Sequence, residues 1–351
     1  MSKENMKLCI SVGLLLISSN AYAAKIGHHE GAGEITPSGD GKVAFSRGLG
    51  STRVWDVERQ SEMASLPTEA GVLVAVSHDG RRVLCRRGEL RMERGKPVEM
   101  PDFKLWQYRL GDWRSGTLVG SGVAHPLLGA TFVGNELVLF WGKTVERRDA
   151  NGRFLRLVSS KAMQQNTAEP GALSTDGNRA AAFQWEGEKP LTCIFDTSSG
   201  RLLQSILREQ FHYYTSWAFS PDSKVLGAQM GEPVGPWNPN DGDEPVQWSH
   251  IFWDVRTGNE LGNWFGESLT FWPNDKSKPL VKTTDSTPKD WELHDVMSEK
   301  TLLLPLPFPR PWGQRPIRSL SFSRDGKAAF VADAQGDLWA ERVQATPKVL
   351  R

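Results

Sequence analysis

One short turn returns along this chain and limits what it can fold into. Clear copies are Pro37-Ser38-Gly39-Asp40-Gly41-Lys42, Ser77-His78-Asp79-Gly80-Arg81, Ser174-Thr175-Asp176-Gly177-Asn178, Ser220-Pro221-Asp222-Ser223-Lys224 and Ser323-Arg324-Asp325-Gly326-Lys327. Degenerate copies stand at Val133-Gly134-Asn135 and Trp272-Pro273-Asn274-Asp275-Lys276. Asp and Asn bond to their own backbone in such turns, and Gly supplies the positive φ they need. A second marker alternates with the first: Arg53-Val54-Trp55-Asp56-Val57, Lys104-Leu105-Trp106-Gln107, Thr144-Val145-Glu146-Arg147, Cys193-Ile194-Phe195-Asp196, Ile251-Phe252-Trp253-Asp254-Val255, Trp291-Glu292-Leu293-His294-Asp295 and Asp337-Leu338-Trp339. The repeat interval is about forty to fifty-five residues, the length of a unit of four short strands.

One such sheet would be marginal alone, and stacking units in a closed ring buries both faces while leaving short edges. Runs that are nearly continuous in apolar character, Glu136–Trp141 and Arg179–Phe183, suit strands covered on both sides. The expectation is an all-β chain, a seven-bladed β-propeller of four-stranded antiparallel blades over residues 34–351. Two packed sandwiches are the alternative that also gives short, evenly spaced strands. Ring closure has two readings. The fourth strand of the last unit is either Pro347–Arg351, which the length after Trp339 favours, or the segment 24–33 returning from the start of the chain.

The units resemble WD-repeat and related bacterial propellers. The residues that carry the likeness are Trp55-Asp56, Phe195-Asp196, Trp253-Asp254 and the turns at 77–80, 174–177, 220–223 and 323–326. Many WD repeats place a Gly-His pair before the first strand, and its His joins a buried hydrogen-bond set with the third-strand Trp. Here His125, after Gly122, is the nearest candidate, so that set is expected to be absent. Trp253-Asp254-Val255-Arg256-Thr257-Gly258 with Trp264 also resembles the pattern of quinoprotein-like propellers, over one unit.

Residues 1–23 read as a secretory signal. Lys3 and Lys7 precede the apolar run Leu8–Ile17, too short to span a bilayer, and Ala21-Tyr22-Ala23 forms a small-x-small cleavage site. The expected address is the periplasm, with secretion as the alternative. Cys85 and Cys193 lie in different units, too far apart to bond, and are expected to be buried free thiols. Because 42 basic residues face 41 acidic ones, charge gives no reason to expect nucleic acid as partner.

Extra length falls between second and third strands, at 87–103 and 231–249, and between units, at 159–170, 207–214 and 305–316. Both kinds of connection emerge on one face, opposite the Asp-Gly turns. They carry Phe211, His212, Tyr213, Tyr214, Trp237, Trp248, Phe308, Arg310, Trp312 and Arg315. Aromatics with Arg are what binding hot spots are made of, and they serve equally to plug a channel mouth. No metal site is expected: in Asn238–Glu244 the turn Gly is out of register for calcium, and His28-His29-Glu30 reads as a polar tail. No cofactor motif, metalloprotease helix, nucleophile elbow or phosphate loop is present. The sequence therefore points to a monomeric, non-catalytic propeller that binds a protein or envelope component through the insertion-rich face. A small-ligand, glycan or enzymatic site at the channel mouth is the alternative.

Overall fold

Successive residues of a strand point to opposite faces, and in this chain both faces are apolar. Val138 and Phe140 enter one cluster with Ala180, Ala182 and Phe195. Leu137 and Leu139, their immediate neighbours, enter another with Leu84, Leu105 and Phe132. The same division holds for Ala44, buried with Phe330 and Leu338, against Val43 and Phe45, buried with Val83 and Tyr108. Each of these sheets is therefore filled from both sides.

The computed structural model describes residues 24–48, 50–93, 96–122, 127–165, 171–187, 189–207, 213–233, 246–265, 268–271, 279–282, 292–295, 300–303 and 317–342. Among them are six four-stranded and two two-stranded antiparallel sheets. The first unit is built of Glu34–Pro37, Val43–Gly48, Ser51–Asp56 and Ser61–Ser65. The second holds Val72–Val76, Arg82–Glu93, Lys96–Arg109 and Asp112–Gly122. Gly129–Val133, Glu136–Phe140, Val145–Arg148 and Phe154–Val158 form the third. The fourth is Gly171–Leu173, Arg179–Glu186, Lys189–Asp196 and Leu202–Leu207. The fifth is Tyr213–Phe219, Val225–Pro233, Val246–Asp254 and Glu260–Phe265. Two hairpins follow, Ser268–Phe271 with Pro279–Lys282 and Glu292–Asp295 with Lys300–Leu303.

The last sheet takes three strands from the C-terminal end, Ile317–Phe322, Ala328–Asp333 and Asp337–Arg342, and its fourth from the other end of the chain, Ala24–His28. Ala24 lies opposite Ala340 and His28 opposite Asp337. Of the two closures open to the sequence, the one that the length after Trp339 favours gives way to the N-terminal strand. The reason is packing: Ile26 is fully buried among Ile35, Trp55, Phe330 and Leu338. Gly27 lets the Trp55 ring lie against the backbone, since a Cβ there would meet Trp55 Cζ3 at 2.1 Å. Pro347–Arg351 lie outside the described residues.

The segment after that strand overturns a second expectation. His29 is not in a polar tail but is buried, with Nδ1 2.7 Å from Ser46 Oγ and Nε2 2.8 Å from Ser51 Oγ. Trp55 Nε1 donates to the same Ser46 Oγ at 2.8 Å. A buried His–Trp set of the WD-repeat kind is therefore present among the described residues, carried by His29, and His125 lies outside them. Burial first, then the nearby Arg53 charge, pushes the imidazole below its ordinary range, so it sits neutral between two hydroxyls.

Third-strand ends follow one rule. Asp196 Oδ1 accepts the backbone N–H groups of Ser198 and Ser199, and Asp254 Oδ1 those of Arg256 and Thr257. The Asp of each Trp-Asp-like pair thus caps the turn that follows it. The aromatic of the pair packs back on the preceding unit, as Trp253 does among Phe183 and Ile194. Trp106 and Trp339 stand two residues short of that register. Tyr108, opposite Val83, and Glu341, opposite Ala329, hold the place that Trp55 holds opposite Ala44. Cys85 and Cys193 are buried and free, and burial pushes their thiols up to about 12 and about 11.

The turn at 220–224 lacks its Gly. Ser223 takes φ 60° where Gly41, Gly80, Gly177 and Gly326 take 67–78°. A left-handed residue with a Cβ costs about 1 kcal/mol, so Ser223→Gly is expected to raise unfolding stability by about 1 kcal/mol in urea titrations.

Candidate functional site

Two faces of the ring carry candidate sites. On the first, the five clear Ser-x-Asp turns are built alike. The Ser hydroxyl donates to the Asp Oδ1 two residues on, at 2.6–2.8 Å, in Ser38/Asp40, Ser77/Asp79, Ser174/Asp176, Ser220/Asp222 and Ser323/Asp325. Each Ser Oγ also accepts the N–H five residues on, from Val43, Arg82, Arg179, Val225 and Ala328. Burial pushes the carboxyls of Asp79, Asp176 and Asp325 up, but the Ser hydroxyl and backbone N–H bonds outweigh it and hold them low. These carboxylates are ionised and occupied as turn caps.

The residue between Ser and Asp is the variable one, and the geometry aims it inward. Gly39, His78, Thr175, Pro221 and Arg324 all border one central cavity of about 250 Å³. Its remaining walls come from first-strand residues, among them Thr131, Phe219, Phe271 and Phe322. Neighbouring turns are tied together. The Asp325 N–H donates to Gly39 O at 3.0 Å, and the Asp40 N–H to His78 O at 2.9 Å. Thr131 Oγ1 donates to Thr175 O and Thr175 Oγ1 to Pro221 O. Sequence reasoning treated these turns as punctuation and passed over this mouth. The signal that finds it is the changing residue inside an otherwise fixed turn.

On the opposite face the described residues of the two insertions between second and third strands are paired strands, not loops. Arg82–Glu93 and Lys96–Arg109 stay paired from Arg82↔Arg109 out to Glu93↔Lys96. Val225–Pro233 and Val246–Asp254 stay paired out to Pro233↔Val246. Most of 87–103 and both ends of 231–249 are therefore β-ribbon, because extending a hairpin satisfies backbone groups that a loop would leave to water. The second ribbon brings candidate residues into line: Gly231 pairs with Tyr213 on one side and Trp248 on the other, and Tyr214 pairs with Met230. Phe211, His212, Trp237, Phe308, Arg310, Trp312 and Arg315, the connection 305–316 and the run Asn238–Glu244 lie outside the described residues.

No family model matches the sequence, and a search of curated proteins finds no match. Solved structures do resemble it. A chain of Kuenenia stuttgartiensis hydrazine synthase is 13% identical, with 90% of this chain and 97% of that one covered, at a TM-score of 0.58. A chain of a mitotic checkpoint complex is 15% identical, with 98% and 97% covered, at a TM-score of 0.54. The fold is a WD-repeat-like β-propeller. At such identities the likeness speaks for architecture alone. The chemistry has to be read from the two faces of this propeller itself.

Proposed function

We propose that this protein is a non-catalytic, seven-bladed periplasmic propeller that binds a protein partner of the cell envelope through its ribbon-bearing face. In this reading the hairpins 268–282 and 292–303 are the two halves of one blade. The observation that carries it is the pair of extended hairpins in the second and fifth units, which prolong two blades on one face. A paired ribbon offers a partner both side chains and a backbone edge. Tyr213 and Trp248 pair with Gly231 at one level of the sheet, at the base of one ribbon, and aromatic residue types are the ones enriched at binding hot spots. Near-neutral charge, 42 basic against 41 acidic residues, agrees with a protein rather than a nucleic-acid partner. The periplasmic address rests on the signal-like residues 1–23. Cleavage after Ala23 would leave Ala24, the first residue of the closing strand, at the start of the mature chain.

The test is recovery of crosslinked partners from periplasmic extract with three forms of the protein. One is intact, one has 89–102 replaced by an Asn-Gly turn, and one carries Trp237→Ala, Trp248→Ala and Trp312→Ala. Loss of a specific partner in both variants at an unchanged melting temperature supports the reading. Unchanged recovery in both removes the named face from consideration.

A further inference from the structure

We infer that the cavity on the turn-bearing face is a binding site for a small carboxylate with a flat apolar body. The inference does not depend on the ribbon-bearing face. The cavity has one cationic corner among walls that carry Phe219, Phe271, Phe322 and Val76. The last, first and second units meet at that corner and present Arg324, Gly39 and His78. Neither the Arg324 guanidinium nor the His78 ring has a hydrogen bond or ion pair with any described residue. The carboxylates nearest to them in the chain, Asp325 and Asp79, are held by their own Ser hydroxyls. Two donor groups therefore face the mouth without an anion among the described residues to satisfy them. A guanidinium presents a planar fork that matches a carboxylate.

The fifth and sixth units present Phe219 and Phe271, both buried in the core except for the surface they turn to the cavity. Aromatic walls with one cationic corner select an amphiphile over an inorganic anion, which would bring no apolar surface to cover them. The volume of about 250 Å³ admits one ring and its substituent rather than a larger cofactor. Gly39 lets the His78 ring lie against its backbone, since a Cβ there would meet His78 Nδ1 at 2.1 Å. The backbone bonds from Asp325 to Gly39 and from Asp40 to His78 fix the spacing of the corner before any ligand arrives, which lowers the entropy cost of binding.

Calorimetric titration of the full chain at low salt tests this with benzoate, benzyl alcohol and inorganic phosphate. Saturable binding of benzoate is expected, with benzyl alcohol and phosphate each at least about tenfold weaker. Arg324→Gln is expected to weaken benzoate about tenfold or more, and His78→Gln less, at an unchanged melting temperature. The inference is overturned by equal affinity for benzoate and benzyl alcohol, by tighter binding of phosphate, by an unaltered affinity in Arg324→Gln, or by no saturable benzoate binding at all.

Discussion

A chain that begins at Gly31 is expected to lose its cooperative unfolding transition. Three losses fall together. Ile26 gives up a full burial, worth about 1.5–3 kcal/mol. The strand Asp337–Arg342 loses the partner it pairs with from Ala340 to Asp337 and becomes an edge. The buried His29 departs and takes its bonds to Ser46 and Ser51 with it, at about 0.5–1.5 kcal/mol for each hydrogen bond, while Ser46 keeps the Trp55 N–H. Together with the lost strand pairing, the sum approaches roughly 5 kcal/mol, the low end of the total stability of ordinary domains. Circular dichroism during urea titration reads the result. The control is a chain ended at Arg342, which keeps all four strands of the last sheet and is expected to keep the transition. If the second truncation destroys folding and the first does not, closure by the N-terminal strand is wrong. A milder form, Gly27→Ala, forces a methyl into the Trp55 ring and is expected to cost about 1–3 kcal/mol.

Glu341→Gln is expected to stabilise the protein by about 2 kcal/mol at pH 8 and hardly at all at pH 4.5. Glu341 occupies the place of Trp55 and Trp253 in the repeat, is buried, and has neither carboxyl oxygen hydrogen-bonded. Burial raises its carboxyl to about 7 from an ordinary 4.5. The native state then binds more protons than the unfolded chain between those values, so stability falls as pH rises through that window. Above it, holding the bare carboxylate costs about 3 kcal/mol, which the neutral amide removes in part because it too is unbonded. Melting temperatures of both forms from pH 4.5 to 8 check this: the curves should meet at the acid end and diverge toward neutrality. Parallel curves would mean that the carboxyl is not isolated. His29 acts in the opposite sense. Its lowered affinity for a proton removes stability as pH falls below the ordinary histidine range. The expected profile is therefore rounded, with separate residues governing its two sides.

Architecture was readable because it is written many times. The Ser-x-Asp turns and the apolar second strands repeat, and local chemistry explains each copy. What happens once was not readable in the same way. The closing strand AKIGH has no distinguishing pattern, and its role appears when Gly27 meets Trp55, a residue outside its own sheet. His29 looked like a tail residue because its partners, Ser46 and Ser51, carry no signature of their own. The aligned tryptophans misled in two units: Trp106 and Trp339 resemble the Trp-Asp marker, yet the register gives that place to Tyr108 and Glu341. The ribbons were seen as added length, while their pairing depends on cross-strand partners such as Arg87 and Lys104. The turn-face mouth was missed because each contributing residue is unremarkable alone and acquires meaning when five turns converge.

The seam between Ala24–His28 and Asp337–Arg342 also sets an order of events for a chain that emerges from its N-terminus. The residues of the closing strand have no partner until more than 300 others have followed. During that interval Ile26 is exposed and the Trp55 ring lacks its cover, while the inner units are already able to pair with their sequence neighbours. Contacts between distant parts of a chain form slowly, so the half-made ring should be the species most exposed to proteases and chaperones. The same delay makes closure a checkpoint, because a chain cut short anywhere before its last strands can never hide its first one.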